Sequence, residues 1–178
     1  ITQRRCKICG FTETKKLDKK AHEWGTEYTV DQPATFAADG SKSIHCKNCE
    51  TISEAIAIPR INSVKISATA CTYSGGVKTP SVTVKDANGN ALHNKTDYIV
   101  QYASGRKNVG TYKVIVTLKD NYSGKKTLSF TINPKGTAIS SLSKSKKAFT
   151  AKWKKQSAQT SGYQLLYSTN SKFKSRNK

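Results

Sequence analysis

Two cysteine pairs carry most of the chemistry available to this sequence. Cys6 and Cys9 lie in "RRCKICGF" and Cys46 and Cys49 in "HCKNCE", each pair spaced C-x-x-C, with 36 residues between Cys9 and Cys46. A C-x-x-C turn aims two thiolates at one point, and two such turns supply the four ligands of a tetrahedral structural Zn²⁺. The expected metal ligands are therefore Cys6, Cys9, Cys46 and Cys49. The intervening length exceeds the roughly 15–20 residues usual between such pairs, and two other uses of the sulfurs stay open. Disulfides between the pairs, such as Cys6 with Cys46 and Cys9 with Cys49, would staple a module too small to hold itself together in an oxidising compartment. A free or redox-active pair is the third use, although no βαβ pattern surrounds either pair as a thioredoxin-like site requires. On the zinc reading four thiolates saturate the ion. His22 and His45 are then surface or packing residues, and no open position is left for a reactive water.

The other nucleophiles and titratable groups assemble nothing. Cys71, in "SATACTYSGG", reads as a small apolar strand residue and His93, in "NALHNKTDY", as a turn or surface histidine. No Ser-His-Asp arrangement, phosphate loop, pair of catalytic carboxylates or metalloprotease helix can be built from the remaining positions. The expectation is a protein that is not an enzyme, with no catalytic residue and no cofactor beyond structural zinc.

The elements that must position the cysteines are strands. Residues 61–134 hold the alternating runs "SVTVKD", "DYIVQY", "TYKVIVTLKD" and "KTLSFTIN", separated by the turn signals "YSGG", "ANGN", "GRKNVG" and "NYSG". In "TYKVIVTL", Tyr112, Val114, Val116 and Leu118 fall on one face and Lys113, Ile115 and Thr117 on the other, the period of two of a sheet over a core. No stretch combines helical spacing with caps. The predicted fold class is all-β, with five to seven strands of residues 61–134 forming a sandwich.

Two further segments flank this one. Residues 1–60 contain four of the five cysteines and end at "AIAIPR", a short strand running into a proline-marked link. Residues 135–178 read as strand, Lys/Ser turn, a strand with Phe149, Ala151 and Trp153 on one face, a polar loop, and a strand "GYQLLYS" with Tyr163, Leu165 and Tyr167. Three strands without a partner sheet cannot cover both faces of their aromatic residues, so this segment is expected to be the front of a larger domain and poorly stable alone. The chain contains no methionine, which points to a processed product or a piece of a longer polypeptide.

Charge is distributed along the same divisions. The formal net charge is +20, rising from +2 over residues 1–60 to +7 over 61–134 and +11 over 135–178. Such a gradient attracts polyanions through weak, salt-sensitive contacts, while lysines on exposed strands also keep sheet edges from pairing with other chains. A hydrophobic content of 35% and a mean hydropathy of -0.61 suit small β modules with thin cores rather than an enzyme with a deep pocket. No apolar run is long enough to form a bilayer-crossing helix.

The residues also carry a resemblance. "CKICGF", "AHEWG", "TVDQPATFAADGSKSIHCKNCETISEAIAIP" resembles the cysteine-pair repeats of secreted and surface proteins of Gram-positive bacteria, whose frame runs C-x-x-C-G, H-x-W, A-T-C, D-G, C-x-x-C and I-P. His22 and Trp24 fall on the H-x-W, and the A-T-C cysteine is replaced by Phe36. The departure favours the two C-x-x-C pairs as the site. Residues 61–134 are similar to bacterial immunoglobulin-like surface domains, through "YSGGVKTPSVTVKDANGNAL", "DYIVQY", "NVGTYKVIV", "NYSG" and "FTINP". Residues 137–178 resemble the first half of a fibronectin type III-like module, with Trp153 in its second strand. The resemblance implies an extracellular or cell-wall-associated fragment in which such domains act as spacers or adhesive units.

Three functions compete on these grounds. The first is a non-catalytic structural or adhesive spacer. The second is an accessory region of a secreted wall hydrolase, binding anionic wall polymer or a host or matrix glycan through lysines or through Trp153, Tyr163 and Tyr167. The third is a nucleic-acid-binding zinc ribbon. A binder of that kind places its positive charge on or beside the zinc module, whereas the cysteine module here is nearly balanced.

Overall fold

The computed structural model describes residues 2–15 and 20–168. It contains no helix among them, and thus none long and apolar enough to cross a membrane. The all-β expectation holds. Strands β1 (Thr2–Arg5) and β2 (Thr12–Lys15) form an antiparallel hairpin. Strands β3 (Thr29–Gln32), β4 (Gly40–His45) and β5 (Ile52–Ile58) form an antiparallel sheet in that order.

Residues 61–133 supply six strands in two sheets. β6 (Ile61–Ile66) pairs with β8 (Val82–Asp86). The second sheet runs β7 (Ala70–Thr72), β11 (Lys125–Asn133), β10 (Gly110–Leu118), β9 (Tyr98–Tyr102), with β7 parallel to β11 and the other pairs antiparallel. The alternation read in β10 is realised. Of the face named from sequence, Val114, Val116 and Leu118 are buried and Tyr112 is half-buried, while on the other face Lys113 is exposed and Ile115 and Thr117 are half-buried. These side chains meet the facing sheet in one cluster of Ile61, Val84, Leu92, Tyr98, Val116 and Leu118, and Val114, Phe130 and Ile132 form a second beside it. Burial of each large apolar side chain stabilises the fold by about 1.5–3 kcal/mol. Cys71 lies half-buried against the second cluster, as a strand residue, and His93 is an exposed turn residue 3.5 Å from the Asp97 carboxylate.

The β3–β5 sheet has no comparable interior. Six of the seven β5 residues are exposed or half-buried, and the buried apolar residues between 20 and 58 are Ala34, Cys46 and Ile58. Loop 33–39 compensates by seating against the larger unit. The backbone N–H of Ala34 donates to the Asn121 carbonyl at 3.0 Å, and its carbonyl accepts from the Ser123 N–H at 2.8 Å. The Ile61 N–H donates to the Thr35 carbonyl at 2.8 Å, and the Arg60 N–H to Asp39 Oδ1 at 2.8 Å. Phe36, standing where the resembling repeats carry cysteine, packs half-buried against the Ile61, Leu118 and Tyr122 cluster. Gly40 ends the loop where no side chain fits, since a Cβ would lie 2.2 Å from the Gln32 carbonyl oxygen and 2.4 Å from the Ala34 nitrogen.

Beyond β11, β12 (Ile139–Lys144) and β13 (Phe149–Trp153) form an antiparallel pair that joins no other strand among the described residues. The expected third strand in "GYQLLYS" is not formed, because its backbone joins no ladder among the described residues. The segment instead lays its rings on those of β13, Tyr163 on Trp153 with centroids 5.5 Å apart and Tyr167 on Phe149 at 5.8 Å. Residues 169–178 of this expected module lie outside the described residues.

Candidate metal centre

The turn between β4 and β5 is a cysteine knuckle. The Cys46 N–H donates to the Thr51 carbonyl at 3.0 Å, closing residues 46–51 into a tight loop that brings Cys46 and Cys49 to one side. Backbone N–H groups point at the sulfur of Cys46. The amide of Asn48 holds this thiol below its ordinary pKa, assisted by the Cys49 side chain and by the backbones of Glu23 and Cys49, against the opposing effect of burial. A thiol so placed is prepared to ionise, the state in which sulfur ligates metal.

A third donor reaches the knuckle from residues 22–25. Trp24 bridges Cys46 in antiparallel fashion, the Gly25 N–H donates to the His45 carbonyl at 2.9 Å, and the Lys47 N–H donates to the Glu23 carbonyl at 2.8 Å. This short ladder sets His22 over the turn, with its Nδ1 3.2 Å from the Cys49 sulfur and its ring centroid 5.1 Å from that of Trp24. The ligand atoms of His22, Cys46 and Cys49 all lie within 4.8 Å of one another. Tetrahedral ligation at about 2.0–2.3 Å spaces ligand atoms about 3.3–3.8 Å apart, so the three side chains fit a shared ion after small rotations. Two thiolates and an imidazole form a donor set suited to a borderline-soft divalent cation such as zinc.

Cys6 and Cys9 occupy a turn of the same form at the tip of the β1–β2 hairpin. The Cys6 N–H donates to the Phe11 carbonyl at 2.7 Å, the same five-residue span as Cys46 to Thr51. The backbone of Cys9, then that of Ile8, then the Cys9 side chain lower the Cys6 thiol pKa. Gly10 follows at φ 72°, a left-handed conformation that glycine adopts without strain. The hairpin is exposed at every residue from 3 to 15, and Ile8 is 97% accessible. Of the four expected ligands the structure thus places Cys46 and Cys49 in one group with His22, and Cys6 and Cys9 beside each other outside that group. All five cysteines are free, so the disulfide alternative is not formed.

His22, assigned by sequence to surface or packing, belongs to the donor group. The signal for it was the H-x-W of residues 22–24, in which Trp24 supplies the ladder position and His22 a side chain able to ligate. His45 has a different role. Its Nε2 lies 2.6 Å from Asp31 Oδ1, which also accepts the Ser43 hydroxyl at 2.9 Å, so β3 and β4 are braced just before the knuckle. The His45 contact, then the Ser43 bond, holds the Asp31 carboxyl below its ordinary pKa. The serine donates to the carboxylate rather than to the imidazole, so this trio lacks the nucleophile–base contact of a hydrolase. Glu23, on the clamping segment, accepts from Lys47 Nζ at 2.7 Å, an exposed pair of small energetic weight.

Comparison with protein-family models, curated proteins and solved structures yields no match.

Proposed function

We propose that this chain is a non-catalytic spacer region of an extracellular or wall-associated modular protein, its N-terminal module closed by a structural zinc. The single observation behind this reading is the joint made by loop 33–39. A spacer must hold successive modules at a fixed orientation, and default interdomain links are too small and polar to do so. Here paired backbone bonds on both sides of Ala34, together with the ring of Phe36, tie the β3–β5 sheet to the sandwich. The thin interior of the β3–β5 sheet supports the zinc, since modules of this size commonly need a metal or a neighbour to remain folded.

Nuclear magnetic relaxation of the whole zinc-loaded chain tests the reading. Residues 29–58 and 61–133 are expected to share one rotational correlation time. Independent tumbling of the two would overturn the spacer function, and zinc stoichiometry well below one per chain would overturn the metal.

A further inference from the structure

The metal reading leaves an imbalance. Three donors, His22, Cys46 and Cys49, are already gathered, a structural tetrahedral ion takes four, and two more thiols stand on the hairpin. We infer that the ion is held by His22 Nδ1, Cys46 and Cys49, and that one thiolate of the Cys6–Cys9 turn fills the fourth position, so that metal binding docks the β1–β2 hairpin onto the module. The inference rests on the zinc reading above and changes its ligand set from four sulfurs to three sulfurs and one nitrogen.

Several observations converge on it. The segment carrying His22 is clamped to the knuckle by backbone bonds on both sides of Trp24, so the imidazole is delivered rather than drifting past. Among the described residues the hairpin pairs with no other strand, and each of residues 3–15 is exposed. A two-stranded hairpin of this kind is marginal on its own, and its apolar residues Ile8 and Phe11 are exposed. What it does carry is a second turn with the hydrogen-bond frame of residues 46–51, its sulfur facing amides at the same offsets, two and three residues on. A second cysteine turn of the same hydrogen-bond frame, on a hairpin that joins no other strand among the described residues, supplies the missing ligand and gains its anchor in the same bond. Binding releases the proton of each ligating thiol to solvent, and no oxidant or reductant is involved.

Cobalt(II) substitution of the full chain counts the ligands, because the intensity of sulfur-to-cobalt charge transfer scales with the number of thiolates, while ligand-field bands report tetrahedral geometry. Three thiolates are expected. The C6S/C9S double variant should lose about one third of the charge-transfer intensity and H22Q should keep it while shifting the ligand-field bands. Four thiolates with an H22Q spectrum unchanged from wild type would overturn the place of His22. Two thiolates in the full chain would overturn the hairpin's part alone. Failure to bind cobalt or zinc at all would remove the metal reading itself. Amide exchange in residues 3–15 gives an independent measure, expected to slow on addition of zinc to the wild type and to stay fast in C6S/C9S. Exchange indifferent to zinc would also overturn docking.

Discussion

The ring of Phe36 lies against Gly124 so closely that a Cβ on the glycine would stand 3.1 Å from Cε2 and 3.2 Å from Cδ2. Gly124 has φ 124°, outside the region that other residues adopt freely, and its carbonyl accepts the Leu118 N–H at 2.9 Å. Together with the backbone bonds of Ala34, the two residues form part of the contact through which loop 33–39 seats the β3–β5 sheet on the sandwich.

Gly124→Ala introduces both a steric overlap and a strained backbone, and should cost about 1–3 kcal/mol. Phe36→Ala removes the ring but leaves the backbone bonds of Ala34, with a comparable loss. The two effects should be non-additive, because once the ring is gone the alanine meets only the backbone strain. Urea unfolding of the single and double variants measures this, and strict additivity would mean that the ring and the glycine are not coupled.

Trp24→Ala should weaken metal binding without removing a ligand. The indole packs on His22 and its backbone bridges Cys46, so its loss frees the imidazole to leave the group. Supporting residues of this kind typically contribute 10–100-fold in affinity. Competition with a chromophoric chelator checks it, and Trp24→Phe, which retains a ring, should restore most of the loss.

Phe130→Ala should cost about 3–5 kcal/mol, since the side chain is fully buried at the centre of the second cluster against Val114 and Ile132. Its ring also contacts Tyr112 at 5.8 Å between centroids. The same measurement on Leu142→Ala, an exposed residue of β12, should give a change within about 0.5 kcal/mol.

Stability should fall in alkaline solution. Burial raises the pKa of Tyr98, Tyr102 and Tyr122 above the ordinary value of 10.0, and the hydroxyl of Tyr102 donates to the Pro80 carbonyl at 2.6 Å. A phenol whose folded pKa is raised ionises first in the unfolded chain. Its contribution is complete below pH 10 and is lost as the pH rises through the folded value. Unfolding free energies followed between about pH 8 and 11 should decline, and Tyr102→Phe, with one fewer ionisable group, should decline less steeply.

Much of this molecule was legible from local pattern. Alternation in "TYKVIVTL" named Tyr112, Val114, Val116 and Leu118 as the inward face of β10, and the last three are buried while Tyr112 is half-buried. The C-x-x-C spacing announced two turns, and both exist with one hydrogen-bond frame. Each of these is a property of neighbouring residues, set by the two-residue period of a strand and by the reach of an amide to a sulfur two or three positions earlier. "GYQLLYS" shows the limit of the same logic. It has strand-like alternation, but a strand is completed by a partner's hydrogen bonds, and the rings of Phe149 and Trp153 engage its side chains where no ladder engages its backbone.

The sequence by itself determined the all-β class, the inward face of β10 and the presence of two thiol turns, because these follow from contacts within a few residues. Only the tertiary structure decided that His22 joins Cys46 and Cys49, that Cys6 and Cys9 stand apart from them, and that Phe36 meets Gly124. Those contacts span tens of residues, and their partners are chosen by the path of the whole chain rather than by the identity of any short stretch.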